Sequence, residues 1–267
     1  MVSSDYILSI VPPRDALVTA RRVASACKLP SANVKRQNVE DADGSLYYVD
    51  LNAISGRQSA EVGTSFDTTS DTSVHCHYLD GGIIGPPPSE TTDGAWKKPS
   101  LAISGDVKLP DTFPRLSKTL NMKHVSPKVG AASTLKLSFA SLTKGLTALS
   151  ILSFSTAQQE SLLPELLQHL DEYAPSVAPT AKKNVTGMAP KAYRWVDEMR
   201  SIGDAFDTEG HWDGIGAEVY GGFAEIYRTI AEDTALGEER VGRRMRGTTV
   251  EDAAALIVER AKESEGV

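Results

Sequence analysis

Two hydrophobic rhythms divide this chain near residue 123. Before that point, short apolar runs alternate with stretches of helical spacing. DYILSIV, from Asp5 to Val11, is almost continuously apolar and stops at Pro12-Pro13, as a parallel strand covered on both faces would. RDALVTARRVASACKL then has helical spacing. Further strands are predicted at Tyr47–Leu51, Val74–Leu79 and Ser100–Asp106, with helical segments at about Gly56–Val62 and in TFPRLSKTLN. Strand alternating with helix implies an α/β domain with a largely parallel sheet. After Lys123 no strand pattern remains. A long helix from about Val129 to Thr156 is followed by ESLLPELLQHLDEY, APKAYRWVDEMRSIGDAF, GGFAEIYRTIAED and TTVEDAAALIVERAK, each apolar every three to four positions. Thr248 and Glu251 have capping-box spacing at the last of these. The reading is α/β plus all-α: a sheet domain at 1–123 and a domain of five or six helices at 124–267. GPPPSETTDG, from Gly85 to Gly94, is the clearest long loop.

The long helix carries a polar anomaly. At 100° per residue, Ser133, Lys136, Ala140, Thr143, Lys144 and Thr147 share roughly a third of its circumference. One reading is a polar stripe lining a cleft between the two domains. Gly130, Ala131 and Ala132 at its start allow backbone or ligand to come close. An ammonium in such a setting can hold or release a proton at a developing alkoxide. Equally, the stem of Lys136 can pack on apolar neighbours while its head reaches water.

Composition narrows the classes. Of 267 residues, 40% are hydrophobic and 24% charged, as in an ordinary soluble globular chain, and the net charge of −7 argues against nucleic acid or an anionic membrane as partner. Arg240, Arg243, Arg244 and Arg246 form one basic cluster, read either as a solvated surface or as an anion or subunit contact. Two cysteines, Cys27 and Cys76, are too few for a disulfide framework and fit a reducing, cytoplasmic setting; no signal peptide or membrane-spanning run is read. His75 and His77 lie on one face of a strand but supply only two ligands, so no metal site is predicted. Trp195 and Met199 read as core or as pocket lining. Arg194 and Glu198 can pair with each other or with a ligand.

Around Lys136 the run ASTLKLSFASLTKG resembles the β-hydroxyacid dehydrogenase superfamily, which includes 6-phosphogluconate dehydrogenases. That family carries G-x-G-x-x-x-K-x-x-N-N at the start of a long interdomain helix. Gly130, Ala132 and Lys136 match its first glycine, second glycine and lysine; Phe139 and Ala140 replace its two asparagines. The sequence is closer still to the sub-branch with the C-terminal NAD-binding phosphogluconate dehydrogenase domain. DYILSIVPP, YVDLNAIS and LDGGIIGPPP resemble successive strand-end turns of the same family.

The resemblance implies a Rossmann-like domain followed by a helical substrate and dimerisation domain. It implies an NADP- or NAD-dependent oxidoreductase acting on a small hydroxy acid or related carbonyl compound, and a homodimer. Lys136 would be the catalytic acid/base. Gly81, Gly82, Ser133, Thr143 and Lys144 would bind substrate, and Val11, Pro12, Pro13 and Asn52 would lie along the cofactor, with Ser55 facing the same side. The family's G-x-G-x-x-G segment is missing. DYILSIV aligns with the family's fourth strand, so the sheet domain is expected to be truncated, leaving DYILSIV at an edge. The alternative expectation is a non-catalytic, cofactor-less relative that acts as a scaffold.

Overall fold

The computed structural model describes residues 4–29, 32, 45–67 and 74–264. The chain forms two compact units, 1–139 with 208–211 and 140–207 with 212–267. The division therefore falls inside the long helix rather than near residue 123.

In the first unit, strand β1 (Tyr6–Ser9) leads through a 3-10 turn into helix α1 (Ala16–Cys27). Strand β2 (Leu46–Asp50), helix α2 (Gly56–Gly63) and strand β3 (Cys76–Ile84) follow. The expected loop at Gly85–Gly94 instead starts a small hairpin, β4 (Ser89–Glu90) with β5 (Trp96–Lys97). Then come β6 (Ser100–Ser104), short helices α3 (Leu109–Thr112) and α4 (Pro114–Leu120), and β7 (Met122–Ser126). β7 is a strand the hydrophobic pattern does not predict. Its side chains alternate between burial and exposure, and only Met122 is fully covered, so no apolar run marks it.

The five main strands lie in the order β1-β2-β3-β6-β7, parallel except for the antiparallel pair β3 and β6. Both faces are covered. Leu46, Tyr48, Cys76 and Tyr78 pack with Ala16, Ala20, Val23 and Phe66 on one side. Tyr47, Val49, Leu79 and Ile103 pack with Leu109 and Phe113 on the other. Double coverage is why the predicted strands read as continuous apolar runs. Among the described residues β1 is an edge strand of this sheet, where the sequence reading expected it.

Helix α5 (Ala131–Gln159) has its first residues in this unit and the remainder in the second. It is long and apolar enough to cross a membrane by length and composition alone, and half of its most apolar window is packed inside the protein, as in a core helix. The second unit continues with α6 (Leu163–Tyr173), α7 (Ala178–Met188), α8 (Ala192–Thr208), α9 (Ile215–Glu232) and α10 (Val250–Ser264). Phe154, Met188, Met199, Ile202 and Tyr227 form its buried centre, so Met199 is core. A β-carbon on Gly203 would lie 2.9 Å from the Gly216 carbonyl oxygen, which shows how closely α8 and α9 approach. The cap of α10 is Thr249, whose Oγ accepts from Asp252 N at 3.1 Å; the cap falls one residue after the expected Thr248.

Candidate functional site

Parallel pairing of β2 and β3 sets Tyr48 beside Tyr78 and Asp50 beside Asp80, and antiparallel pairing sets Asp80 beside Ser104. Two carboxylates thus sit side by side at the carboxyl end of the parallel strands, each 1% exposed. Asp80 is fully engaged. It accepts from Ser59 Oγ and Ser104 Oγ, both at 2.8 Å, and from Ser133 N at 3.0 Å and Ser133 Oγ at 2.5 Å. Since the Ser59 proton goes to Asp80, the Tyr78 hydroxyl donates to Ser59 Oγ at 2.8 Å. This carboxylate therefore joins α2, β6 and the first turn of α5 to β3.

Asp50 is less well served. Its Oδ1 accepts from Asn52 N at 2.9 Å, while its Oδ2 is buried without a partner among the described residues. Burial, reinforced by the Asp80 charge and opposed by the Asn52 N–H, pushes its carboxyl up to about 6. Burial likewise pushes the Tyr48 hydroxyl up to about 12 and raises Tyr78.

The predicted cofactor residues separate into two groups. Val11 is half-buried, and Pro12 and Pro13 are exposed at the end of β1. Asn52, by contrast, is 3% exposed. Its Oδ1 accepts from Val11 N at 2.7 Å and its Nδ2 donates to Ser9 Oγ at 3.2 Å, so it ties the ends of β1 and β2 together. Ser55 is also buried: it caps α2 in a capping box with Gln58. Arg57 N, in the same first turn, donates to Glu209 Oε1 at 2.9 Å, and Glu209 also accepts from Thr134 Oγ.

Gly81 and Gly82 lie within β3, paired to β6, and not in a loop. Their lack of side chains has a local reason. A β-carbon on Gly82 would stand 2.7 Å from Lys136 Cβ and 2.9 Å from the Ala132 carbonyl oxygen, and one on Gly81 would stand 2.6 Å from Leu51 Cδ2. Gly82 is therefore the seat on which α5 and the stem of Lys136 rest. Gly130, at φ 93°, meets the backbone of Gly56: the close approach its sequence position suggested is made by backbone. Ser133 is spent on Asp80. Ala132 N donates to Ser104 Oγ at 3.0 Å, so side chains from the sheet take up two N–H groups of the first turn of α5.

The rest of the polar stripe belongs to the second unit. Lys144 pairs with Glu198 at 2.6 Å and lies 5.4 Å from the centre of the Trp195 ring; the two charged side chains are 17% and 15% exposed. Glu198 thus pairs with Lys144 rather than with Arg194. Tyr227 Oη donates to the Lys144 carbonyl at 2.6 Å. Thr143 is exposed. Together, then, the fold assembles Gly82, Ser133 and Lys136 in one unit, and Lys144 with Glu198 and Trp195 in the other. Among the described residues no group of three or more His, Cys, Asp or Glu could hold a metal ion.

The sequence reading missed Asp50, Asp80, Ser59 and Ser104. One signal was available: two apolar runs, SLYYVD and HCHYLD, each end in aspartate, and equal pairing brings the two acids together.

The first unit is thus a largely parallel, Rossmann-like sheet with helices on it, and the second unit is helical. Residues 157–230 match the domain of unknown function DUF1932. A conserved hypothetical protein from Sinorhizobium meliloti 1021 has a similar structure, with a TM-score of 0.66 and 17% identity over 97% of this chain and 76% of that one. The conserved protein MTH1747, of unknown function and described as structurally similar to 3-hydroxyacid dehydrogenases, matches with a TM-score of 0.59 and 22% identity over 86% of this chain and 76% of that one. No curated protein sequence matches.

Proposed function

We propose that this chain is a cytoplasmic NADP- or NAD-dependent oxidoreductase acting on a small hydroxy acid or a related carbonyl compound, with Lys136 as its acid/base. The observation that carries the reading is the seating of Lys136. Its stem rests on Gly82, and the helix turn before it is fixed by the buried Asp80, so this half-buried lysine starts from a rigid support. The carboxyl end of a parallel sheet is where such folds bind dinucleotides. There the half-buried Val11 and the exposed Pro12 and Pro13 suit the ribose next to the nicotinamide. The fit does not extend to a diphosphate on α2 or α5, whose first-turn N–H groups are already bonded to Ser55, Glu209, Ser104 and Asp80.

When bound, the nicotinamide would take a hydride from the carbinol carbon or return it to the carbonyl. Lys136 would take the hydroxyl proton in oxidation and give it back in reduction. Gly82, by having no side chain, would keep the lysine stem at that position. Thr143 and Lys144 remain candidates for substrate contact, Lys144 through a charge already shared with Glu198.

The partner in this reading is a second copy of the chain. Leu135, Phe139, Leu142, Leu149 and Leu152 are 44–76% exposed along α5, at spacings that keep them near one stripe. One finding favours the scaffold alternative: Asn52, Ser55 and Ser133 are all spent inside the protein.

Titration with NADPH and NADH, followed by cofactor fluorescence, is the first test, and Lys136→Ala is the second. Saturable binding below about 100 μM, about 5.5 kcal/mol of association, with turnover lost in Lys136→Ala, supports the enzyme. Failure to bind either cofactor leaves the scaffold.

A further inference from the structure

The second unit contains a cavity of about 310 Å³ whose lining includes Lys183, Asn184, Lys191, Trp195, Arg244 and Thr248, and no carboxylate among the described residues. Three cations on three different elements face one space: Lys183 from α7, Lys191 from the 3-10 turn after it, and Arg244 from the loop before α10. Such convergence of like charge is repulsive when nothing lies between the charges.

Arg244 is held in a fixed pose. Its terminal nitrogens donate to the backbone carbonyls of Thr186, Arg246 (3.2 Å) and Gly247 (2.6 Å), leaving its Nε buried and unpartnered. A buried guanidinium N–H without an acceptor is costly, and the cost is relieved when an anion supplies one. The side chains of Lys183, Lys191 and Arg194 make no hydrogen bond or ion pair among the described residues. Three acids of the same unit have partners of their own: Glu198 pairs with Lys144, Asp171 with Lys182, and Glu239 accepts from the N–H groups of Met245 and Arg246. Burial first, and then the charges of Arg194, Arg244 and Lys183, lower the affinity of Lys191 for its proton.

We propose that this cavity is a binding site for a phosphate group, carried either by a small phosphorylated metabolite or by the free ion. A tetrahedral dianion offers acceptors in several directions at once, which suits donors arriving from three elements better than a flat carboxylate does. Asn184, whose Nδ2 donates one proton to the Thr143 carbonyl at 3.4 Å and keeps a second, and Thr248 add neutral donors to the lining, and Trp195 gives an apolar surface that an organic part can lie against. All of the lining residues belong to the second unit.

Isothermal titration of the full chain at constant ionic strength tests this, with orthophosphate, glucose 6-phosphate and malonate as probes. The reference is the double variant Lys183→Gln, Lys191→Gln, which removes two of the three converging cations and whose side chains hold no other group in place. Saturable one-to-one binding of orthophosphate or the sugar phosphate is expected, weakened at least tenfold in the double variant. That variant should melt in chloride no lower than the parent, because it removes repulsion. Tighter binding of the sugar phosphate identifies a metabolite as the ligand; tighter binding of orthophosphate identifies the ion. The proposal is overturned by absence of saturable phosphate binding, by binding that survives within twofold in the folded double variant, or by malonate binding as tightly as phosphate. None of these outcomes depends on turnover, so they are distinct from those that test the dehydrogenase reading.

Discussion

Replacing Asp50 by asparagine should stabilise this protein at neutral pH. The carboxyl is displaced upward from an ordinary 3.8 to about 6, because burial and the Asp80 charge outweigh the Asn52 N–H. A displacement of that size is worth about 3 kcal/mol. The folded chain holds this proton more tightly than the unfolded chain, so folding is favoured while the group is protonated in the folded state. The advantage fades as pH rises through the window from about 4 to about 6. Between pH 4.5 and 7.5 the parent should lose about 2 kcal/mol through this group alone. The amide that replaces the carboxyl cannot titrate, and its carbonyl oxygen can still accept from Asn52 N. Urea unfolding of both proteins at pH 4.5, 6 and 7.5 isolates the effect, because other titrating groups cancel in the difference. Asp50→Asn should gain about 2 kcal/mol on the parent across that range. A stability difference that stays constant with pH would refute the reasoning, and Asp50 would then have to find a partner for its second oxygen.

Asp80→Ala should cost on the order of 3–5 kcal/mol in chemical denaturation, since the buried Ser133 N–H loses its acceptor while three hydroxyls lose theirs. Gly82→Ala should cost about 1–3 kcal/mol by forcing α5 off β3; if the enzyme reading holds, its kcat should fall much more than its KM rises. Glu198→Gln should lower stability by on the order of 3 kcal/mol, read as a fall in Tm, because Lys144 is left largely enclosed beside Trp195. Leu142→Asp, placed at a side chain 76% exposed on α5, should give a monomer in sedimentation velocity without loss of helical signal; an unchanged mass would remove the proposed dimer face.

Much of the fold was legible because double coverage writes itself into the chain. Leu46–Asp50 and Cys76–Ile84 are apolar on both faces, and α5 is apolar almost all round, so each was visible within a few residues of its true bounds. β7 was not, because only one of its side chains is fully buried. The antiparallel β3–β6 pair was equally hidden, since strand direction leaves no mark on composition.

The candidate site was legible in part, for a different reason. Lys136 stood out because a cation in an apolar helix asks for an explanation. Asn52, Ser55 and Ser133 were polar residues beside an expected ligand position, yet each turned inward to serve a neighbouring backbone or carboxylate. Local spacing cannot show which way such a short side chain turns. The Asp80 network joins residues 59, 80, 104 and 133, and that reach lies beyond any window of periodicity.

The bonding at the start of α5 also sets a clock. In most helices the first amide protons are open to water and trade with it freely, because nothing inside the protein needs to break for them to leave. Here the amides of Ala132 and Ser133 end on side chains rooted in two strands of a central sheet. Their protons can leave only when that sheet lets go. In deuterium they should be retained as long as those of β3 itself, which would make this helix start one of the last parts of the first unit to open.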